Sequence, residues 1–167
     1  MVEVELSETI NCSPEAWLAL VLDVERYATV DDKIGPIQWV RREGDLVEFK
    51  FRPQLPGLHL PALRLVSQMR LTPGRRIDVQ LAPLPRNVTS RAASTFRASF
   101  SCEPHDEGVR VTRAISFSFN PAVRWFIEPV LRRTLPVSVE RELRLAKRIL
   151  EREWEGMEPT VEAEPDR

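Results

Sequence analysis

The sequence predicts an α+β fold: one leading strand, one or two short helices, a meander of about six antiparallel strands, and a long terminal helix. Three observations carry this. The hydrophobic period changes from two to helical after the first ten residues, returns to two, and becomes helical again from Asn120. Helix-start signals stand at both changes into helix. Between them each hairpin alternates apolar and polar residues, as an antiparallel sheet with one dry face does, whereas a parallel sheet reads as continuous apolar runs.

Taken in order, Val2, Val4, Leu6 and Ile10 alternate with polar residues and read as a half-buried strand. "SPEAWLALVLDVERY" (13–27) opens with Ser13 as N-cap, Pro14 at the first helical position, where no amide donor is needed, and Glu15 complementing the positive helix end. Trp17, Leu20, Val21 and Val24 recur at helical spacing, with Leu18 and Leu22 widening the stripe, so this helix is covered on two sides. "DVERYATVDDK" reads as a second short helix or turn. Ile37 and Trp39, a Gly44-Asp45 turn, then Val47, Phe49 and Phe51 form the first hairpin. After the proline-rich link "RPQLPGLHLPA", Leu63, Leu65, Met69 and Leu71 lead through Pro73-Gly74 to Ile77, Val79 and Leu81. A second loop, "APLPRNVTSRA", precedes Phe96, Ala98, Phe100 and Cys102, and the last strand carries Val109, Val111, Ile115, Phe117 and Phe119. Asn120 caps the terminal helix with Pro121 behind it. Its apolar stripe runs through Val123, Ile127, Val130, Leu131, Leu135, Val139, Leu143, Ala146 and Leu150, opposite a charged face from Glu140 to Glu151. Pro129 and Pro136 each remove a backbone bond and are expected to kink or divide it. The acidic text 155–167 has no period and is expected to be disordered.

Composition bounds the function. The 167 residues suit a single domain, 1–154, with enough buried surface to need no disulfide or metal. Cys12 and Cys102 fit no redox or metal spacing and read as buried free thiols in a cytoplasmic protein. A net charge of −1, from 24 basic and 25 acidic residues, gives no general attraction to nucleic acid or to an anionic membrane. No apolar run reaches spanning length. His59 and His105 belong to no zinc-ligand spacing, and neither a phosphate-binding glycine loop nor a GxSxG nucleophile is present. No metal and no cofactor is expected.

"VEVELSETINCSPEAWLALVLDVERYATV" at the front and "NPAVRWFIEPVLRRTLPVSVERELRLAKRILE" at the back, with the meander between them, resemble the START-like (Bet v 1-like, SRPBCC, helix-grip) superfamily, particularly its bacterial polyketide cyclase/dehydrase and lipid-transport branch. The resemblance spans residues 1–154 and rests on element order, without a catalytic signature. It implies a curved seven-stranded antiparallel sheet wrapped around the C-terminal helix, with two short helices between the first and second strands closing one end of a groove. A single curved sheet against one helix leaves interior volume that side chains fill only in part, and such a cavity holds an apolar small molecule.

Strand phase places Trp39, Phe49, Phe51, Met69, Phe96, Phe100, Phe117 and Phe119 inward, and the start of the terminal helix adds Trp125 and Ile127 as a lid. The same signature describes a solid core. Polar residues in inward phase discriminate better, because burying them unpaired is costly. Glu8, Arg113, Arg41 and Ser67 are of this kind. Since the resembled fold makes the first and last strands neighbours, a Glu8–Arg113 pair in the groove is expected to orient a ligand's carboxylate, hydroxyl or carbonyl. His59 and Tyr27 are candidates for the cavity mouth. Two functional classes follow: a module binding a lipid, quinone or polyketide-like molecule, and an aromatase/cyclase-type enzyme that holds a poly-ketone and polarises a carbonyl. A protein-interaction module is a third. The chain is expected to be a monomer or homodimer.

Overall fold

The computed structural model describes residues 1–59 and 63–157. The elements run β1 (Val2–Ile10), α1 (Pro14–Leu22), α2 (Val24–Tyr27), β2 (Ile34–Glu43), β3 (Leu46–Pro53), β4 (Leu65–Thr72), β5 (Arg76–Leu81), α3 (Val88–Ala93), β6 (Ser94–His105), β7 (Gly108–Phe119) and α4 (Pro121–Met157). The strands form one seven-stranded antiparallel sheet in the order β1-β7-β6-β5-β4-β3-β2. Each strand from β2 to β7 thus pairs with its neighbour in sequence, and β1 closes onto β7.

That topology explains the short apolar helices. The chain leaves one edge of the sheet at β1 and must reach the opposite edge at β2, and α1 and α2 make the crossing. Ser13 Oγ accepts the Ala16 amide at 3.1 Å and starts α1, which buries Trp17, Leu18, Leu20 and Val21. Asp23 ends α1 and caps α2 by accepting the Arg26 amide at 3.3 Å. Trp17, Tyr27 and Phe100 of β6 then meet as an aromatic cluster, with centroids 5.3–6.5 Å apart.

Three features depart from the sequence expectations. In β2 the register slips between Ile34 and Trp39, so Ile37 faces Phe51 and Val40 faces Phe49, while Trp39 pairs with Lys50. Such a bulge moves every later side chain to the other face. Trp39 and Arg41 therefore lie on the outer surface, where the Arg41 guanidinium sits 4.9 Å from the indole centroid. The segment 82–92, read as a loop, holds all but the last residue of α3. Asn87 holds it in place with its side chain: it accepts from the Val66 amide at 3.0 Å and donates to the Val66 and Ala82 carbonyls at 2.9 Å. Finally, α4 is continuous through Pro129 and Pro136 to Met157, three residues beyond the boundary expected at 154. The carbonyls freed by the two prolines belong to the exposed residues Trp125 and Arg132, on the side of the helix where water can reach them. Of the tail expected to be disordered, residues 158–167 lie outside the described residues.

One face of α4 packs on β1 and β7, burying Leu131, Leu135, Val139, Leu143, Ala146 and Leu150. Asn120 Oδ1 accepts the Ala122 amide at 3.0 Å at its start. Both cysteines are free and buried. No helix among the described residues is long and apolar enough to cross a membrane.

Candidate ligand cavity

α4 packs on β1 and β7, and the inner face of the sheet from β3 to β7 extends beyond it. That face encloses a cavity of about 150 Å³. Phe49, Phe51, Met69, Phe96, Phe100, Phe117 and Phe119 wall it, together with Ile115, Val79 and the hydroxyl of Ser67. The rings pack against one another, Phe49 on Phe51 at 5.0 Å, Phe96 on Phe117 at 5.1 Å and Phe117 on Phe119 at 5.8 Å. Leu55 and Leu58 of the loop after β3 complete the wall. That loop is tied to α4 by Thr134 Oγ1, which donates to the Pro56 carbonyl at 2.6 Å. Gly57 permits the approach: it has φ +77°, and a Cβ there would lie 2.7 Å from the Thr134 methyl.

One end of this apolar space is charged. Asp31, Lys33 and Arg113 line it, and Glu142 of α4 stands behind them. All four side chains are buried, Glu142 completely. Glu142 receives Arg113 Nε at 3.0 Å, Lys33 Nζ at 2.7 Å and the Tyr27 hydroxyl at 2.5 Å. The Lys33 ammonium also reaches Asp31 Oδ1 at 2.7 Å and Ser138 Oγ at 3.2 Å, so each of its three hydrogens has a partner. The Arg113 guanidinium lies 3.9 Å from the Phe100 ring centroid, and its Nη2 is 3.7 Å from Asp31 Oδ2. Two cations and two carboxylates thus form a quartet with no net charge, as burial of ions requires.

The remaining sequence candidates fall elsewhere. Glu8 and Arg113 do share the inner face, for Arg113 is opposite Leu6 and Glu8 is opposite Val111. They do not pair, because α4 lies over both strands and offers each a partner: Glu8 takes Lys147 at 3.0 Å, and Arg113 takes Glu142. Trp125 is 73 % exposed on α4, with its indole Nε1 donating to the Ala122 carbonyl, and Ile127 is packed in the core. Neither is among the residues that line the cavity. Trp39 is outside, as described above, and His59 is exposed and away from the cavity lining. Tyr27, expected at a mouth, is fully buried against Glu142.

The sequence reading missed Asp31, Lys33 and Glu142. Glu142 had a visible signal: it stands three residues after Val139 and four before Ala146, inside the apolar stripe of α4. Asp31 and Lys33 follow no period, and only tertiary structure brings them under the sheet.

Burial and the Glu142 carboxylate push Asp31 above the usual aspartate range, against the pull of Lys33 and Arg113. For Glu142 burial also pushes upward, but Arg113 and Lys33 outweigh it and hold the carboxyl below the usual range. The two therefore have opposite pH signatures. A raised folded pKa adds stability as pH falls from the raised value towards the unfolded value near 4, whereas a lowered one withdraws stability as pH falls below about 4. Melting temperatures of the wild type and Asp31→Asn, compared from pH 7 to 4.5, are expected to show the wild type gaining on the variant as pH falls. A constant difference would contradict this assignment.

The model of the polyketide cyclase/dehydrase and lipid transport family matches residues 1–151. The chain belongs to this family. Solved structures agree in fold. TTHA0849 of Thermus thermophilus superposes with a TM-score of 0.70 at 15 % identity, covering 89 % of this chain and 97 % of that one. The di-domain aromatase/cyclase StfQ of the steffimycin biosynthetic pathway gives 0.70 at 18 %, covering 93 % of this chain and 52 % of that one. The aromatase/cyclase ZhuI of a Streptomyces species gives 0.68 at 12 %, covering 92 % and 95 %. At such identities the likeness is one of fold. No curated protein matches the chain by sequence.

Proposed function

We propose that this family member binds a small hydrophobic molecule in the phenylalanine-walled cavity, with the molecule's polar end turned to Arg113 and Asp31. The observation that carries this reading is the placing of charge: the walls from β3 to β7 are mostly apolar, and the charged lining residues Asp31, Lys33 and Arg113 stand together. An apolar space of this size is not stabilised by water, and a cavity of about 150 Å³ is enough for an aromatic ring. The ring or acyl portion of a longer lipid, quinone or polyketide-like ligand would fill it, with the remainder passing out beside the 54–58 loop. Native mass spectrometry of the purified protein, followed by denaturing extraction, is the test. A stoichiometric apolar molecule is expected. A clean apo mass that stays unchanged with quinones, fatty acyl compounds and aromatic polyketides would count against the reading.

A second reading is favoured by Asp31. A buried carboxyl held above its ordinary range, beside a guanidinium, is suited to exchange a proton with a bound carbonyl compound. The aromatase/cyclases among the similar structures make a poly-ketone the first compound to assay. Turnover lost in Asp31→Asn with binding retained would establish catalysis, and binding without any turnover would leave a carrier.

A further inference from the structure

The charged end of the cavity specifies the head group of the ligand. Lys33 has spent its donors, and Glu142 is enclosed by three. Arg113 has not: Nε serves Glu142, Nη1 donates to the Ala114 carbonyl at 3.3 Å, and Nη2 makes no hydrogen bond among the described residues. Asp31 is divided in the same way. Its Oδ1 accepts the Lys33 amide at 3.0 Å and meets the ammonium, while Oδ2 has only the Arg113 Nη2 at 3.7 Å, beyond hydrogen-bond reach. Neither atom is sealed off, for the only enclosed side-chain polar atom lacking a partner among the described residues is Trp17 Nε1. An unspent donor and an unspent acceptor therefore stand side by side on residues 3 % and 2 % exposed that line the cavity.

Charge decides what fits between them. Arg113 and Lys33 are already balanced by Glu142 and Asp31, so a ligand carboxylate would be an uncompensated anion in an apolar space, with one oxygen forced onto the Asp31 carboxylate. Burying such a charge is costly. An uncharged group with an acceptor next to a donor meets both atoms: its carbonyl takes Arg113 Nη2 and its N–H or O–H gives to Asp31 Oδ2. We infer that the cavity selects uncharged ligands whose head group carries a hydrogen-bond donor beside an acceptor, a carboxamide or a hydroxyl next to a carbonyl, and rejects the corresponding carboxylates. This rests on the binding reading proposed above. The upward push on Asp31 supports it, since the position already disfavours negative charge.

The test is calorimetric titration of the wild-type protein at pH 7.5 with 2-naphthamide, 2-naphthoate and naphthalene, which share one ring system. The carboxamide is expected to bind at least about tenfold more tightly than either of the others, a gap of ~1.4 kcal/mol. Titrations of the carboxylate in buffers of different ionisation enthalpy are expected to show uptake of about one proton, because only the neutral acid fits. In Asp31→Asn, whose amide can donate to an anion, the preference for carboxamide over carboxylate is expected to shrink. Carboxylate binding as tight as carboxamide binding, without proton uptake, would overturn the head-group inference and leave the cavity reading intact, as would naphthalene matching the carboxamide. Failure of all three to bind would overturn the cavity reading and the inference together.

Discussion

Replacing Glu142 with alanine is expected to destabilise the fold by about 3–5 kcal/mol, the usual result of removing one member of a buried ion network. For a chain of this length that is a fall in melting temperature of about 10 °C. The size follows from what the carboxylate does. It is fully buried and receives Arg113, Lys33 and Tyr27. Without it the two buried cations are left with Asp31 and, for Lys33, the more distant Asp32 at 3.7 Å, and the Tyr27 hydroxyl loses its acceptor. Glu140→Ala, one turn-half away on the exposed face and paired only with Arg144, is expected to change stability by less than about 0.5 kcal/mol. Thermal denaturation of the two variants side by side checks the contrast. Equal, small effects would mean that the quartet is not formed as described.

The largest expected effect on binding belongs to Ser67→Phe. Ser67 lies on the cavity wall between Phe49 of β3 and Leu81 of β5, its register partners, and is 1 % exposed. A ring added there enters a space of about 150 Å³ and occupies most of it. Affinity for an apolar ligand is expected to fall by about a hundredfold or more, equivalent to ~2.7 kcal/mol. The folded state should tolerate the change, because the added volume meets empty space instead of packed atoms, so the 1–3 kcal/mol commonly lost by overpacking is not expected in full. Binding measured by titration and stability measured by denaturation separate the two. Unchanged affinity in a folded variant would place the ligand elsewhere.

Alternation in Val47-Phe49-Phe51 and Ile115-Phe117-Phe119 was enough to set the inner face, because β3 pairs with β4, and β6 with β7, without interruption. The same rule misplaced Trp39, since a bulge is a property of the paired strands and leaves no mark in the text of one of them. Arg113 was legible as an inward polar residue, yet its partner was not: the nearest inward acid on the adjoining strand is Glu8, while the acid that reaches it sits on α4, 29 residues away. Trp125 and Ile127 were read as lid residues because an apolar helix start follows the last strand, but α4 is anchored over β1 and β7 and leaves the cavity to the sheet. Helix starts, by contrast, depend on a few adjacent residues, and Ser13 and Asn120 cap as their local text implies.

The claim that the inner face of the sheet is the ligand site is tested most directly by methyl NMR during titration with 2-naphthamide. Shifts are expected for Met69, Val79, Leu81 and Ile115, which line the cavity, and not for Leu135, Val139 and Leu150 in the α4 core. Shifts confined to groups outside the cavity, such as Leu63 and Val88 on the far face, would contradict the account.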